Sequence, residues 1–409
     1  MSALKQVFVR VHSRYEQDRY AEDLERFAAW LLATSYQNKN ARRHLCRVQQ
    51  VLHAIGATPG VALRADMLGR AFAQLARGRW TRCHTASTYA GYLRSSGRLI
   101  DPPPAPDPLA SLVEDFCGRL VRRRGLAPAT VTEYRHSISH FIQQMLQPGQ
   151  TLRELTPRSL ESYIRSRGRE LARTTLLAAV RGIRAFLLDC YHRGLLPERL
   201  DLIDIPRAFR RDLPPRAMPW PLVERLLKSV DRTGRTGRRD HAILHLLARY
   251  GLRIGEVQQL ALTSINRKAR TLTVWQSKTY STLVVPLHDE TLAILDDYLQ
   301  RGRLPSGLPS LFLRAAAPLG PMSKAAVGYV FRTRADRCGA PISQYSAHCL
   351  RHAFAHRLFQ RGVGMKAIGD LMGHRNLVST SIYLRLQADA LREVALPVPG
   401  HAEPIGGVA

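Results

Sequence analysis

Acidic residues are scarce: 32 Asp plus Glu stand against 61 Lys plus Arg in 409 residues, a formal charge of +29. A compact chain with this excess repels itself unless counter-charge is bound, so its expected partner is a polyanion, nucleic acid before any other. Long apolar runs are also missing. None approaches the roughly 20 residues that a bilayer-spanning helix needs, and no terminal amphipathic anchor stands out, which argues against a membrane as the home of the charge. The first residues, MSALKQVFVRVHSRYEQ, lack the apolar core of a secretion signal, so a soluble, cytoplasmic protein acting at the nucleoid is expected. The six cysteines, Cys46, Cys83, Cys117, Cys190, Cys338 and Cys349, form no Cys-x-x-Cys pair and no zinc-site spacing. They are expected to be reduced and mostly buried, with Cys349 packing in a helix rather than acting as a nucleophile.

What is present reads as two or three domains. The Pro-rich stretch DPPPAPDP, residues 101–108, cannot continue a helix or a central strand and marks a first boundary. A second falls at residues 205–221, where prolines alternate with Arg207, Arg210, Arg211 and Arg216, as in an extended basic linker lying along DNA. The expected organisation is an additional helical domain over 1–105, a helical DNA-binding domain over 106–205, a linker over 206–221, a mixed α/β domain over 222–397 and a flexible tail over 398–409. Helical spacing is evident at Leu24, Phe27, Ala28, Leu31 and Leu32, and again at Leu45, Val48, Val51 and Leu52. Past residue 108, Leu112, Phe116 and Leu120 begin one helix, and Thr130 can cap the next. A weak likeness between YAEDLERFAAWL and SLVEDFCGRLV leaves open a duplicated helical module. In the last region, TLTVWQS and STLVVPL read as a β-hairpin.

Four blocks in that region stand in a fixed order: YGLRIGEVQQL, QSKTYSTLVVPL, SAHCLRHAFAHRL and LMGHRNLVSTSIYLRL. Each alone is weak; in this order and spacing they resemble the tyrosine recombinase, or phage integrase, family, and the resemblance runs through residues 106–396. It implies a mainly helical fold with a small β-hairpin sheet: helical SAM-like core-binding regions followed by a mixed α/β catalytic domain. It also implies a catalytic set of Arg253, Lys278, His348, Arg351, His374 and the nucleophile Tyr383, with Glu256 supporting Arg253. The chain departs from the family in lacking the glycines that often flank the hairpin lysine, and in reading Ser-Ala before His348 where many relatives have Thr-Pro. Ser346 can still cap that helix.

The chemistry explains these residue types. A phenol attacking a phosphodiester builds negative charge on the equatorial oxygens of a pentacoordinate phosphorus, and fixed cations and donors oppose that charge. Two guanidiniums can each fork onto two phosphate oxygens. His348 and Arg351, at i and i+3, share a helix face. A phenol with a pKa of about 10 needs a proton acceptor, for which His348 is the candidate. By resemblance, Lys278 protonates the departing 5′ oxygen and His374 donates to a nonbridging oxygen. His352 and His356 are read as packing or phosphate-contacting residues. No acidic cluster of the two-metal kind lies near the blocks, so neither metal nor other cofactor is expected.

Arg122, Arg123 and Arg124, with Arg165, Arg167, Arg169 and Arg173, are expected to contact phosphates, which sets affinity and salt dependence rather than sequence choice. The implied partners are double-stranded DNA carrying specific recombination sites, sister protomers in a homo- or hetero-tetramer on two sites, and accessory recombinases. Strand exchange for integration, excision or transposition of a mobile element is the leading reading. A noncatalytic DNA binder of the same fold and a type IB topoisomerase stay open as alternatives.

Overall fold

A computed structural model describes residues 2–8, 11–74, 79–101, 107–147, 149–204 and 217–373, the side chains of 79–83 excepted. His374, Tyr383, the expected tail, and most of the Pro-rich and basic linkers lie outside the described residues. The chain divides into two compact units: residues 102–213, and the described parts of 1–101 together with those of 214–409.

The second unit in chain order is the simpler. It holds α7 (Pro108–Arg124), α8 (Pro128–Met145), α9 (Pro157–Glu170) and α10 (Arg173–His192), preceded in the chain by the helices α1–α6 described below. Asp107 caps α7, accepting from Leu109 N at 2.9 Å, Pro108 opens it, and Gly125 ends it in the left-handed conformation. Its apolar stripe, Val113, Phe116, Cys117 and Leu120, packs with Ile138, Phe141, Phe186 and Leu187. The α8 start differs from expectation: Ala127 occupies the N-cap and Pro128 the first turn, which leaves Thr130 inside the helix rather than capping it. Proline supplies the helical φ that a cap would otherwise help to set.

In the other unit, residues 1–101 form α1 (Ala3–Val7), α2 (His12–Glu16), α3 (Ala21–Ala33), α4 (Asn38–Ala54), α5 (Ala65–Gln74) and α6 (Arg79–Ser95). Leu24, Phe27, Ala28 and Leu31 of α3 and Leu45, Val48, Val51 and Leu52 of α4 are buried, Leu32 is partly buried, and Tyr20, Phe27 and Tyr89 lie at the centre. The purely helical expectation for this region needs one addition. The strands β1 (Leu63–Arg64) and β2 (Leu99–Ile100) pair in parallel, joining segments 36 positions apart, a pairing too short to leave a period-two signal.

The remainder is built around α12 (Arg235–Arg249), whose residues from Asp240 to Ala248 are all buried. Around it lie α11 (Trp220–Lys228), α13 (Ile254–Gln259), α14 (Asp289–Asp297), α15 (Lys324–Cys338) and α16 (Ala347–Gln360), followed by α17 (Met365–Leu371). The linker expected to reach residue 221 ends sooner: α11 begins at Trp220, with Pro221 in its first turn, where a missing N–H costs nothing. Strands β3 (Ile265–Asn266), β4 (Thr271–Gln276) and β5 (Ser281–Pro286) make an antiparallel meander, with Gln276 opposite Ser281 at the tip of the expected hairpin. A buried ionic cluster ties α12 to α15: Asp240 accepts from Arg334 at 2.6 and 3.0 Å and from Arg239 at 2.8 and 3.1 Å.

The N-terminal region touches this core through a projecting turn, residues 314–320, closed by Arg314 N donating to Gly320 O at 2.9 Å. Ala317 of that turn packs on the N-terminal core, and Leu319 N donates to Thr34 O at 3.3 Å.

Candidate active site

The buried end of α12 sets the site. Gly251 follows the helix with φ +60°, and a Cβ there would overlap the Phe354 ring of α16, so the turn into Arg253 requires glycine. Arg253 then occupies the N-cap of α13. Its backbone N donates to Glu256 Oε2 at 2.7 Å and its Nη1 to Glu256 Oε1 at 2.5 Å. Glu256 is 4% exposed and serves a second cation, with Arg351 Nη1 at 3.9 Å from its Oε2. Arg351 also donates from Nη1 to Gly251 O at 2.6 Å and from Nη2 to Met372 O. One carboxylate thus orients two guanidiniums, and the local charge stays positive. The Arg253 side chain keeps 20% of its surface open to solvent.

His348 lies one turn before Arg351 in α16. Desolvation of its ring, then the charges of Arg351, Arg253 and Lys278, hold its pKa below the ordinary histidine value. The neutral imidazole is therefore favoured, the form able to accept a proton. His352 stands edge-on to His348 with centroids 4.5 Å apart, and burial followed by the charges of His348 and Arg351 lowers its pKa to about 4. The shift favours the neutral imidazole. Ser346 occupies the α16 N-cap, but its hydroxyl makes no capping bond and sits 3.5 Å from the sulfur of buried Cys349.

Lys278 is exposed in the β4–β5 turn, near enough for its charge to act on His348. Beneath it, Gln276 is 2% exposed, and its Oε1 accepts from Thr279 Oγ1 at 3.2 Å and Ser281 Oγ at 3.3 Å. The Gln276 carboxamide lies against Gly373, where φ is +58° and any Cβ would overlap it. Gly373 O in turn faces Arg253 Nη2 at 3.5 Å. Gln276 and Gly373, which spacing alone did not single out, thereby join the lysine hairpin to the turn that precedes His374. Four of the expected residues, Arg253, Lys278, His348 and Arg351, come together; His374 and Tyr383 lie outside the described residues.

Of the basic residues expected to meet DNA, Arg122, Arg123 and Arg124 are exposed in the last turn of α7, and Arg165, Arg169 and Arg173 are exposed on α9 and α10. Arg167 is paired with Glu170. Among the described residues no helix is long and apolar enough to cross a membrane.

An integrase/recombinase of Sinorhizobium fredii is 31% identical over 393 residues, 93% of this chain and 92% of that protein. Residues 221–389 match the phage integrase family, and residues 113–190 match the phage integrase N-terminal SAM-like domain. The chain belongs to the phage integrase family. It is a tyrosine-type site-specific DNA recombinase, mostly helical with small sheets. The tyrosine recombinase XerD of Mycobacterium leprae is 29% identical, over 70% of this chain and 96% of its own length. The Sinorhizobium alignment is long enough that it must include most of the N-terminal region. Among solved structures, the XerH recombinase bound to its difH substrate shares the fold at TM-score 0.55 and 17% identity, over 70% of this chain and 83% of that one. The Tn1549 transposon integrase in complex with circular intermediate DNA does so at TM-score 0.54 and 17% identity, over 69% and 99%.

Proposed function

We propose that this recombinase exchanges strands at specific DNA sites through a 3′-phosphotyrosyl intermediate on Tyr383, in the integration, excision or transposition of a mobile element. The observation that carries the reading is the pair of guanidiniums, Arg253 and Arg351, held by one buried carboxylate beside His348 and Lys278. In this scheme the Tyr383 phenolic oxygen attacks the scissile phosphorus and gives its proton to His348. The 5′ oxygen leaves with a proton from Lys278, and Arg253, Arg351 and His374 bind the nonbridging oxygens. One phosphodiester is exchanged for another, so a 5′ hydroxyl from a second strand reverses the step without an external energy source.

The exposed arginines Arg122, Arg123, Arg124, Arg165, Arg169 and Arg173 would hold backbone phosphates; Arg167 would join them only on leaving Glu170. The helical region within 106–205 and the catalytic region, which begins with α11 at Trp220, would form the two halves of a DNA clamp joined by the intervening basic linker, with 1–105 as an added domain and 398–409 as a tail. A tetramer of like or mixed protomers on two sites, in the cytoplasm at the nucleoid, completes the reading. The structure of the Tn1549 integrase on circular intermediate DNA is the comparison that favours a transposon role.

A nicked suicide substrate carrying the element's own ends tests the reading. A covalent protein–DNA adduct is expected with the natural chain and none with Tyr383→Phe. An adduct of equal yield in the variant would refute the assignment, and relaxation of supercoiled plasmid without a partner site would point to topoisomerase action instead.

A further inference from the structure

A cavity of about 720 Å³ opens where α4 and the projecting turn 314–320 meet the first turn of α12. Its walls carry Arg43, Arg47, Arg235, Arg239 and Arg314, and no Asp or Glu among the described residues lines it. Arg239 is committed to Asp240, and Arg47 donates to Thr85 Oγ1 at 3.2 Å. Arg43, Arg235 and Arg314 are exposed and have no carboxylate partner among the described residues. The α12 N-cap is Gly234, which has no side chain to cap the helix, so the positive end of the helix dipole adds to the same field.

The rest of the lining is mixed: Tyr36, Leu304, Leu313 and the alanines of the projecting turn give it apolar surface, and Ser35, Gln37, Asn40 and Thr236 give it uncharged hydrogen-bonding groups. The volume falls in the range of small-ligand sites, roughly 300–1,000 Å³. Free cations beside a mixed apolar and amide-bearing wall suit a ligand that is anionic at one end and flat, with hydrogen-bonding edges, at the other. The site is also separate from the strand-cleaving centre. Arg235 and Arg253 flank opposite ends of the 15-residue α12, whose rise of about 1.5 Å per residue puts roughly 20 Å between them.

We propose that this cavity binds a nucleotide unit, its phosphates on Arg43, Arg235 and Arg314 and its base against Tyr36, Leu304 and the 315–317 alanines. The ligand bridges the N-terminal region and the catalytic core, so occupancy fastens one to the other. Its source is either a free nucleoside triphosphate or an unpaired nucleotide at the end of a DNA strand. The proposal goes beyond recombination itself and needs no cleavage by Tyr383, so the two readings fail separately.

The test uses the full-length chain and calorimetric titration with dATP, with inorganic phosphate, and with a 20-base-pair duplex that is either blunt or carries a three-nucleotide 3′ overhang. The expected result is one site for dATP, or a preference for the overhang over the blunt duplex, weakened at least tenfold by Arg43→Gln with Arg314→Gln. Both side chains are exposed, and urea unfolding confirms that the variant is folded. Weakening of dATP binding assigns the free nucleotide; weakening confined to the overhang assigns the strand end. The proposal is overturned if neither probe binds, or if dATP binds no better than phosphate without an overhang preference. It is equally overturned if Arg122→Gln with Arg124→Gln weakens dATP binding, or reduces the overhang-over-blunt preference, as much, because generic charge would then account for it.

Discussion

Replacing Gly373 with alanine perturbs the contact that joins the lysine hairpin to the two arginines. The residue sits at φ +58°, and its Cβ would occupy space held by the Gln276 carboxamide. The left-handed conformation alone costs a non-glycine residue about 1–2 kcal/mol. Overpacking adds about 1–3 kcal/mol, because Gln276 is 2% exposed and tied by the Thr279 and Ser281 hydroxyls. A total of about 2–5 kcal/mol follows, shared between lost stability and a displaced Gly373 carbonyl that no longer faces Arg253. Urea unfolding measures the first part and single-turnover cleavage of a suicide substrate the second, where at least a tenfold fall is expected, about 1.4 kcal/mol in the barrier. In a Gln276→Ala background the overlap disappears while the φ strain stays, so the same Gly373→Ala change should cost about 1–3 kcal/mol less there. The reasoning fails if the single variant unfolds and cleaves like the natural protein, or if its cost is the same in both backgrounds.

Two further outcomes follow from the buried charges. Glu256→Ala leaves Arg253 and Arg351 without their shared carboxylate, and a loss of about 3–5 kcal/mol of stability is expected, together with a cleavage defect that remains when rates are corrected for the folded fraction measured by urea titration. Acid should weaken the fold well above the carboxylate range. Burial, first among the causes, lowers His44 and His241 to about 4 and His245 to about 3. Below the unfolded pKa of about 6.5 the unfolded chain binds protons that the folded chain refuses, so stability falls as pH drops from 6.5 toward these values, each histidine contributing up to about 1.4 kcal/mol per pH unit. The urea midpoint should therefore decline between pH 7 and pH 5, less so in His245→Gln; a flat midpoint over that interval contradicts the sign.

Helix positions followed from period and punctuation, since burying an apolar stripe dictates the three-and-four spacing seen in α3, α4 and α10. The Arg253–Glu256 pair was legible from the family resemblance of its block, and the three-residue spacing fits the cap that the two form. The hairpin carrying Lys278 was legible from β-branched alternation around a polar turn. Such signals are local. Those that failed were local competitions with close outcomes, such as Thr130 losing the α8 cap to a chain entry through Pro128.

Contacts between distant segments were settled only in three dimensions. Glu256 reaching Arg351, Gln276 filling the space that Gly373 leaves, and Arg314 facing Arg43 across a cavity each join positions 95 to 271 residues apart. No period in the chain encodes such a meeting, because it depends on how whole helices pack. The sequence alone determined which chemistry the chain carries and on which elements; tertiary packing decided which carboxylate holds the arginines, which imidazoles stay neutral, and where uncompensated charge is left facing an empty pocket.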